Sequence, residues 1–428
     1  MKTLISESTE MEKNMASSTS RNGSRSGSQR SSRSAGNSRS AGSRDRYEQG
    51  YTRSSVNRSS GTSRPGSSSY SGSRKKMSRK RRAKKRRRII LFTLELLLLV
   101  VLGVVLWGVL KQTSTQKINI NEEEIVQQFN QTVEENAAMK GYRNIALFGI
   151  DARDDDLGKG NRSDTIMIAS INLDTCEVRL MSVYRDTYMN LGNDKYSKCN
   201  AAYAAGGPQQ AVMMLNMNLD MNITDYVSVG FLGMIDVIDN LGGVQIDVRE
   251  EEIQHLNNYQ ASMFSTESQA KITDDYVKVT QPGLQTLNGM QATAYCRIRA
   301  TAGDDFRRAE RQRTVLMAIM EKAKSASFSE LNAALDSALP HVATSLDTSE
   351  MLDVLKDVAK YSIVANDGFP FEDSRATGKV GAAGSCVIPL SLESNVVKLH
   401  QFFFESEEYT PSDEVKSYSS RVAKDTGN

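Results

Sequence analysis

The feature that most constrains this chain is an uninterrupted apolar run, Ile89 to Leu110, set between two segments of opposite charge. Its 22 residues would form a helix about 33 Å long, enough to cross the hydrocarbon layer of a bilayer. Residues 1–88 carry 24 Lys or Arg against 5 Asp or Glu, and residues 111–428 carry 30 against 45. The formal net charge of +3 therefore hides a strongly basic segment and an acidic one. Twelve of the basic residues crowd into Arg74–Arg88, directly before the apolar run. The positive-inside rule then predicts a single-pass cell-membrane protein with a cytoplasmic N-terminus and an extracellular C-terminal domain. Arg74–Arg88 would meet anionic membrane lipid.

Composition sets the remaining boundaries. Residues 1–88 are rich in Ser, Gly, Arg and Asn and offer little apolar surface to offset the entropy of ordering, so a disordered basic segment is expected there. A transmembrane helix follows at 89–110, then a stalk or accessory helix at 111–140, with Ile125, Val126, Phe129 and Val133 on one side. The main domain is expected at 141–325, an accessory lobe of helical and extended segments at 326–405, and a flexible tail at 406–428. Strand patterns at Arg143–Asp151, Asp164–Asn172 and Glu177–Val183 alternate further on with helix patterns at Ala201–Met217 and Asp305–Ala323. This mixture predicts an α/β domain whose mixed central sheet is flanked by helices. Cys176, Cys199, Cys296 and Cys386 permit one or two disulfides, or unpaired buried thiols, and their spacing matches no zinc pattern.

The arginines of the acidic domain stand in short local contexts. Arg153 follows Asp151 directly after the first strand; Arg162 and Asp164 precede the second; Arg185 and Asp186 end the third. Strand ends are where α/β sheets present functional groups. A second group lies in RIRATAGDDFRRAERQR: Arg297 and Arg299 share a direction if extended, while Asp305, Arg308 and Gln312 share a helical face with Arg311 beside it. Guanidinium groups gathered in one cleft repel one another unless an anion sits among them, and phosphate or pyrophosphate suits their forked donors. Asp151 and Asp164 could then hold a hard cation such as Mg²⁺ or Mn²⁺ against the phosphate oxygens. The bland alternative is surface ion pairing, worth little energetically. Three scattered histidines without HExxH, and the absence of a GxSxG elbow or a Walker loop, argue against zinc, serine-hydrolase and P-loop chemistry.

The segments FGIDAR, NRSDTIMIASIN, LMSVYRDTY, KCNAAYAAGG, DYVSVGF, DNLGGVQIDV, GLQTLNGMQATAYCRIR and DDFRRAERQR, in this order, resemble the LytR-CpsA-Psr family of bacterial envelope phosphotransferases. The resemblance implies transfer of an anionic glycopolymer, such as teichoic acid or capsular polysaccharide, from an undecaprenyl pyrophosphate carrier to a muramic acid hydroxyl of peptidoglycan. A phosphodiester would form, with Mg²⁺ assistance and pyrophosphate cleavage as a side activity, while the lipid tail lies in an internal tunnel. It gives Arg162, Arg185, Arg297 and Arg299 contact with the pyrophosphate, and Asp151 and Asp164 the metal. Asp305, Arg308 and Gln312 would line the head-group site with Arg311 alongside, supported by Arg153 and Asp186. The chain departs from the family pattern at Tyr184, where Pro usually precedes the Arg-Asp pair, and at Cys199 and Cys296, for which a disulfide across the cleft wall is expected. The competing readings are a noncatalytic binder of lipid-linked polymer and a membrane-bound transcriptional regulator. The latter would need a folded DNA reader, and residues 1–88 show no helix-turn-helix pattern; no nucleic-acid partner is expected.

Overall fold

The computed structural model describes residues 136–428 apart from 153–155, 193, 265–276, 300–303 and 407, together with 120–130 and the isolated positions 99, 116, 118 and 133. Two strands rich in β-branched and apolar residues form the centre of the domain, β1 (Tyr142–Ile150) and β2 (Ser163–Asn172). They pair antiparallel from Tyr142 opposite Asn172 to Ile150 opposite Ser163. Around them are β3 (Glu177–Val183), β6 (Asp225–Val229), β9 (Val342–Thr344) and β10 (Ser362–Phe369), in the order β10-β3-β2-β1-β6-β9. β6 runs parallel to β1 and β10 parallel to β3, while the other neighbours are antiparallel. The sheet is thus mixed, as the strand and helix patterns predict. Three hairpins lie outside it: β4 (Tyr188–Asn190) with β5 (Tyr196–Lys198), β7 (Val244–Val248) with β8 (Gly283–Leu287), and β11 (Arg375–Val380) with β12 (Gly384–Pro389).

Both faces of the sheet are covered. The principal core gathers Phe148, Ile150, Ile166, Ile168 and Met181 from the sheet with Tyr203, Val212 and Leu215 from a single helix. Ile125 of the short α1 (Glu122–Gln127) is also buried there. α2 (Ala201–Leu219) breaks at Gly206–Gly207, where Gly207 takes a φ of 68° that a side chain would resist, and Pro208 starts the second part. α3 (Phe231–Asn240), α4 (Glu250–Phe264), α5 (Gly289–Arg297) and α6 (Asp304–Ser325) contribute a second cluster with Ile235, Leu256, Met290 and Val315. Asn288 and Gln291 form a reciprocal capping box that fixes the start of α5. Beyond α6 come α7 (Phe328–Ala338), α8 (Thr348–Asp357), α9 (Leu392–Phe404) and α10 (Asp413–Thr426).

Several expectations are corrected. Among the described residues no helix is long and apolar enough to cross a membrane. The two longest fail for physical reasons: α2 is interrupted at its glycines, and α6 carries charged residues along its length because only part of its surface packs inward. The predicted span at 89–110 lies outside the described residues apart from Leu99, and no described helix supplies the expected single-pass topology. The basic segment 1–88, including Arg74–Arg88, also lies outside them. Residues 326–405 do more than pack against the domain, since β9 and β10 form the two edges of its central sheet. The expected tail contains α10, which Ser412 caps and whose Val415 and Val422 are buried. Cys176, Cys199, Cys296 and Cys386 are all free. Cys199 hydrogen-bonds the carbonyls of Tyr184 and Arg185, whereas Cys296 faces a cavity elsewhere, so these two do not form the expected disulfide.

Candidate active site

The sheet brings distant parts of the sequence to one end. Gly149 lies beside Val229, Ile150 beside Ser163, and Phe369 beside Val183. The C-terminal ends of β1, β3, β6 and β10 therefore meet the beginning of β2. Asp164 sits at that beginning and Arg185 just beyond β3, while the first turns of α6 lie over both, carrying Asp305 and Arg308.

Three arginines converge on Asp164. Arg185 Nη1 approaches Asp164 Oδ1 at 2.8 Å; Arg308 Nη2 and Arg299 Nη2 approach Oδ2 at 2.9 and 3.2 Å. Asp305 Oδ1 lies 3.5 Å from Arg185 Nε, 3.7 Å from Arg308 Nη1 and 3.8 Å from Arg299 Nε. Arg308 also donates to the Asp164 carbonyl at 3.0 Å and is only 5% exposed. Burial pulls the Asp164 carboxyl upward, but Arg308, Arg185 and Arg299 outweigh it and hold the group below its ordinary value. Burial likewise works against the charge on Arg308 and, aided by its cationic neighbours, leaves its pKa below the usual arginine range. For Arg185, burial is outweighed by Asp164 and Asp305, and the pKa rises.

Three guanidinium groups and Lys198 face Asp164, Asp305 and Asp186, which leaves one net positive charge among them. Arg185 Nε, Arg308 Nε, Arg308 Nη1 and Asp305 Oδ1 are buried without hydrogen-bond partners. Buried donors left unmade are costly, so three such nitrogens in one cluster point to an incoming acceptor such as a phosphate oxygen.

Next to the cluster is an apolar cavity of about 230 Å³. Leu147, Met167, Val227, Met234, Val315 and Ile319 supply much of its wall, and Asp164, Arg297, Arg308 and Gln312 give it a polar side. Gln312 lines both the cavity and the small recess around Arg185 and Asp305. One helix face therefore passes from charged groups at Asp305 and Arg308 to the apolar wall at Val315 and Ile319. A ligand with an anionic head and a hydrocarbon tail matches this sequence of surfaces.

The remaining candidates occupy different places. The Arg297 guanidinium stacks on Phe231 at 4.5 Å and Tyr259 at 5.7 Å, on the cavity side rather than against Asp164. Arg311 is buried against Glu252, at 2.7 Å, and donates to the Ile298 carbonyl, which braces the segment between Arg297 and Arg299. Asp186 pairs with Lys198 at 3.4 Å and stands 4.0 Å from Arg185. Arg162 and Asp151 are exposed, with no ion pair to the cluster among the described residues; Arg153 lies outside those residues. Sequence reasoning missed Glu252, Lys198 and the apolar cavity wall. A glutamate in an EEE run at a helix start gives no sign of burial, and cavity residues read as ordinary core.

Mg²⁺ prefers several oxygen ligands, commonly one or two carboxylates with phosphates and waters. Here both Asp164 oxygens already face guanidinium groups, the cluster carries net positive charge, and Asp151 is exposed at the end of β1. Among the described residues no group of three or more His, Cys, Asp or Glu side chains could hold a metal ion. As arranged, the described donor set fits an anion.

Residues 104–380 match the model of the LytR_cpsA_psr family. The chain belongs to this family. Its LytR_cpsA_psr relatives include the polyisoprenyl-teichoic acid–peptidoglycan teichoic acid transferase TagU of Oceanobacillus iheyensis, 34% identical over 226 residues, or 50% of this chain and 62% of that protein. TagU of Bacillus cereus is 32% identical over 235 residues, covering 54% of this chain and 69% of the relative. The matched stretch thus spans less than two thirds of the first of these relatives. A Streptococcus agalactiae protein of known crystal structure has the same fold, with a TM-score of 0.52 and 21% identity over 66% of this chain and 95% of that one.

Proposed function

We propose that this chain transfers an anionic glycopolymer from a polyprenyl pyrophosphate carrier to a hydroxyl of peptidoglycan, forming a phosphodiester. The observation that carries the reading is the junction of the Arg185–Arg299–Arg308 cluster with the apolar cavity, which suits a pyrophosphate attached to a hydrocarbon chain. The names of the TagU relatives, which describe a teichoic acid transfer to peptidoglycan, support the same chemistry.

In this mechanism the guanidinium groups orient the pyrophosphate and stabilise charge as it develops on the phosphoryl oxygens and leaving group. The acceptor oxygen bonds to the glycan-side phosphorus, the phosphoanhydride bond breaks, and lipid monophosphate leaves. Asp305 is assigned the acceptor proton because its Oδ1 stands 3.5 Å or more from the guanidinium groups without a hydrogen bond, whereas both Asp164 oxygens are bonded at 2.8 to 3.2 Å. Arg297, held by Phe231, would face the lipid-proximal end, and Gln312 the boundary between head and tail. With water as acceptor, the same bond cleavage gives the pyrophosphatase side activity.

The test uses the full chain with a labelled polyprenyl-pyrophosphate glycan and peptidoglycan oligomers, with Mg²⁺ present and after chelation. Label should move to peptidoglycan with one lipid monophosphate released per transfer, and folded Arg299→Ala should lose that activity. Tight retention of the lipid with neither transfer nor monophosphate release would instead favour a noncatalytic binder. The chelated sample reads the metal requirement separately.

A further inference from the structure

Arg375 lies far from every site motif in the sequence, at the start of the β11–β12 hairpin. Its guanidinium nevertheless contacts both aromatic residues that adjoin two members of the anion cluster. It stacks 4.1 Å from the Phe306 ring centre, one residue after Asp305, and 5.0 Å from that of Tyr184, one residue before Arg185. The two rings meet edge to face at 4.7 Å. Arg375 Nη1 also donates to the Tyr184 hydroxyl and the Pro370 carbonyl, each at 3.2 Å.

Resting on the anion-site reading above, we infer that Arg375 is a positioning residue that holds the β3 exit and the first turn of α6 in register, so that Arg185, Asp305 and Arg308 present one preformed pyrophosphate site. The cluster needs this support. Asp164 and Asp305 offset only part of the like charge on Arg185, Arg299 and Arg308, and their contacts orient these groups only while the β3 exit and the start of α6 keep their register. A planar cation lying against two rings resists sliding and rotation, and its bond to the Tyr184 hydroxyl adds a direction that a stacked ring alone lacks.

Tyr184 is built into the same device. Its ring is nearly fully buried, its amide donates to the Phe369 carbonyl at 3.0 Å, and its carbonyl accepts from Thr187. Its hydroxyl fills the space beside Gly368 so closely that any Cβ there would overlap it. Tyr184 therefore depends on the missing side chain at Gly368, and its hydroxyl takes Arg375 as its donor. A hairpin distant in sequence thereby reaches the site through two aromatic residues and touches no reacting atom itself.

The experiment measures binding of geranyl pyrophosphate and inorganic pyrophosphate to the full chain, alongside the melting temperature, for wild type, Arg375→Ala, Arg375→Lys and Phe306→Leu. Arg375→Ala should weaken both ligands by about tenfold, beyond any effect on melting. Arg375→Lys should recover only part of this, because an ammonium cannot lie flat on both rings. A double-mutant cycle between Arg375→Ala and Phe306→Leu should be non-additive for binding. A folded Arg375→Ala protein that binds both ligands like wild type overturns the inference. Should that variant fail to fold, wild-type binding by Phe306→Leu and Arg375→Lys overturns it equally. Wild-type protein that binds neither ligand sinks the anion-site reading and this inference with it, a result distinct from normal binding in both wild type and variant.

Discussion

Arg308 and Arg311 lie one helical turn apart on α6, both nearly buried and both paired with a carboxylate, yet the two arrangements differ in what they leave unfinished. Arg311 donates to Glu252 at 2.7 Å and to the Ile298 carbonyl at 3.1 Å. Its nitrogens are absent from the buried atoms that lack a partner, whereas Arg308 Nε and Nη1 are among them. Glu252 itself accepts from the Arg249 amide, so that pair is anchored at both ends. Asp164 is instead shared by three arginines in a group where four cations, Lys198 included, outnumber three carboxylates. Burial of an arginine thus says little about its purpose. Unmet donors and surplus charge are what the proposed anion would complete, while completed hydrogen bonds mark a brace.

This comparison is broken most directly through Glu252. Glu252→Leu strands Arg311 without its buried partner and should destabilise the protein by about 3–5 kcal/mol. Denaturant unfolding would show it, and an unchanged midpoint would mean that the pair is no brace. Arg308→Ala should do the reverse: Asp164 keeps Arg185 and Arg299, so folding is largely preserved, while kcat for transfer falls by roughly 10²–10³. Equal losses of stability in the two variants would erase the distinction.

A third test uses Gly368. Gly368→Ala should cost about 1–3 kcal/mol through overlap with the Tyr184 hydroxyl and Cζ, and should cost much less in a Tyr184→Leu background, which lacks both atoms. Melting curves of both single variants and the double variant decide it. The smallest expected effect is acid dependence. The folded-state pKa of Asp164 is below its ordinary 3.8, so its stabilising contribution is present above that value and is lost as pH falls through the lower folded value. Relative to wild type, Asp164→Asn should therefore show a flatter loss of stability below about pH 4. An identical acid profile would show that the three arginines do not depend on this charge.

Much of the fold was legible because local pattern and final environment agree. The alternation in β1–β3, the helix pattern at Ala201–Met217 and the shared polar face of α6 each carry their structural reason within a few residues. β10 was not legible: SIVANDGF has an exposed, polar centre, and only pairing with β3 from Ser362 beside Glu177 to Phe369 beside Val183 makes it a strand. α10 was misread as tail because few of its residues are apolar, although Val415 and Val422 suffice to bury it once the domain supplies a surface.

The sequence by itself determined which charged side chains would stand near strand ends and on one face of α6, because side-chain periods of two and 3.6 are local properties of the backbone. It therefore grouped Arg185, Arg299, Asp305 and Arg308 at one expected anion site, though together with Arg162 and Arg297, and it set Asp164 beside Asp151 as a cation pair. Only the tertiary structure decided that Arg297 turns toward the cavity, that Arg311 belongs to Glu252, and that Arg375 joins Tyr184 to Phe306. Those choices depend on which chain segments lie within a few ångströms after folding. Guanidinium groups have long arms and form similar pairs with any nearby carboxylate or ring, so spacing along the chain carries no record of the partner each one finds.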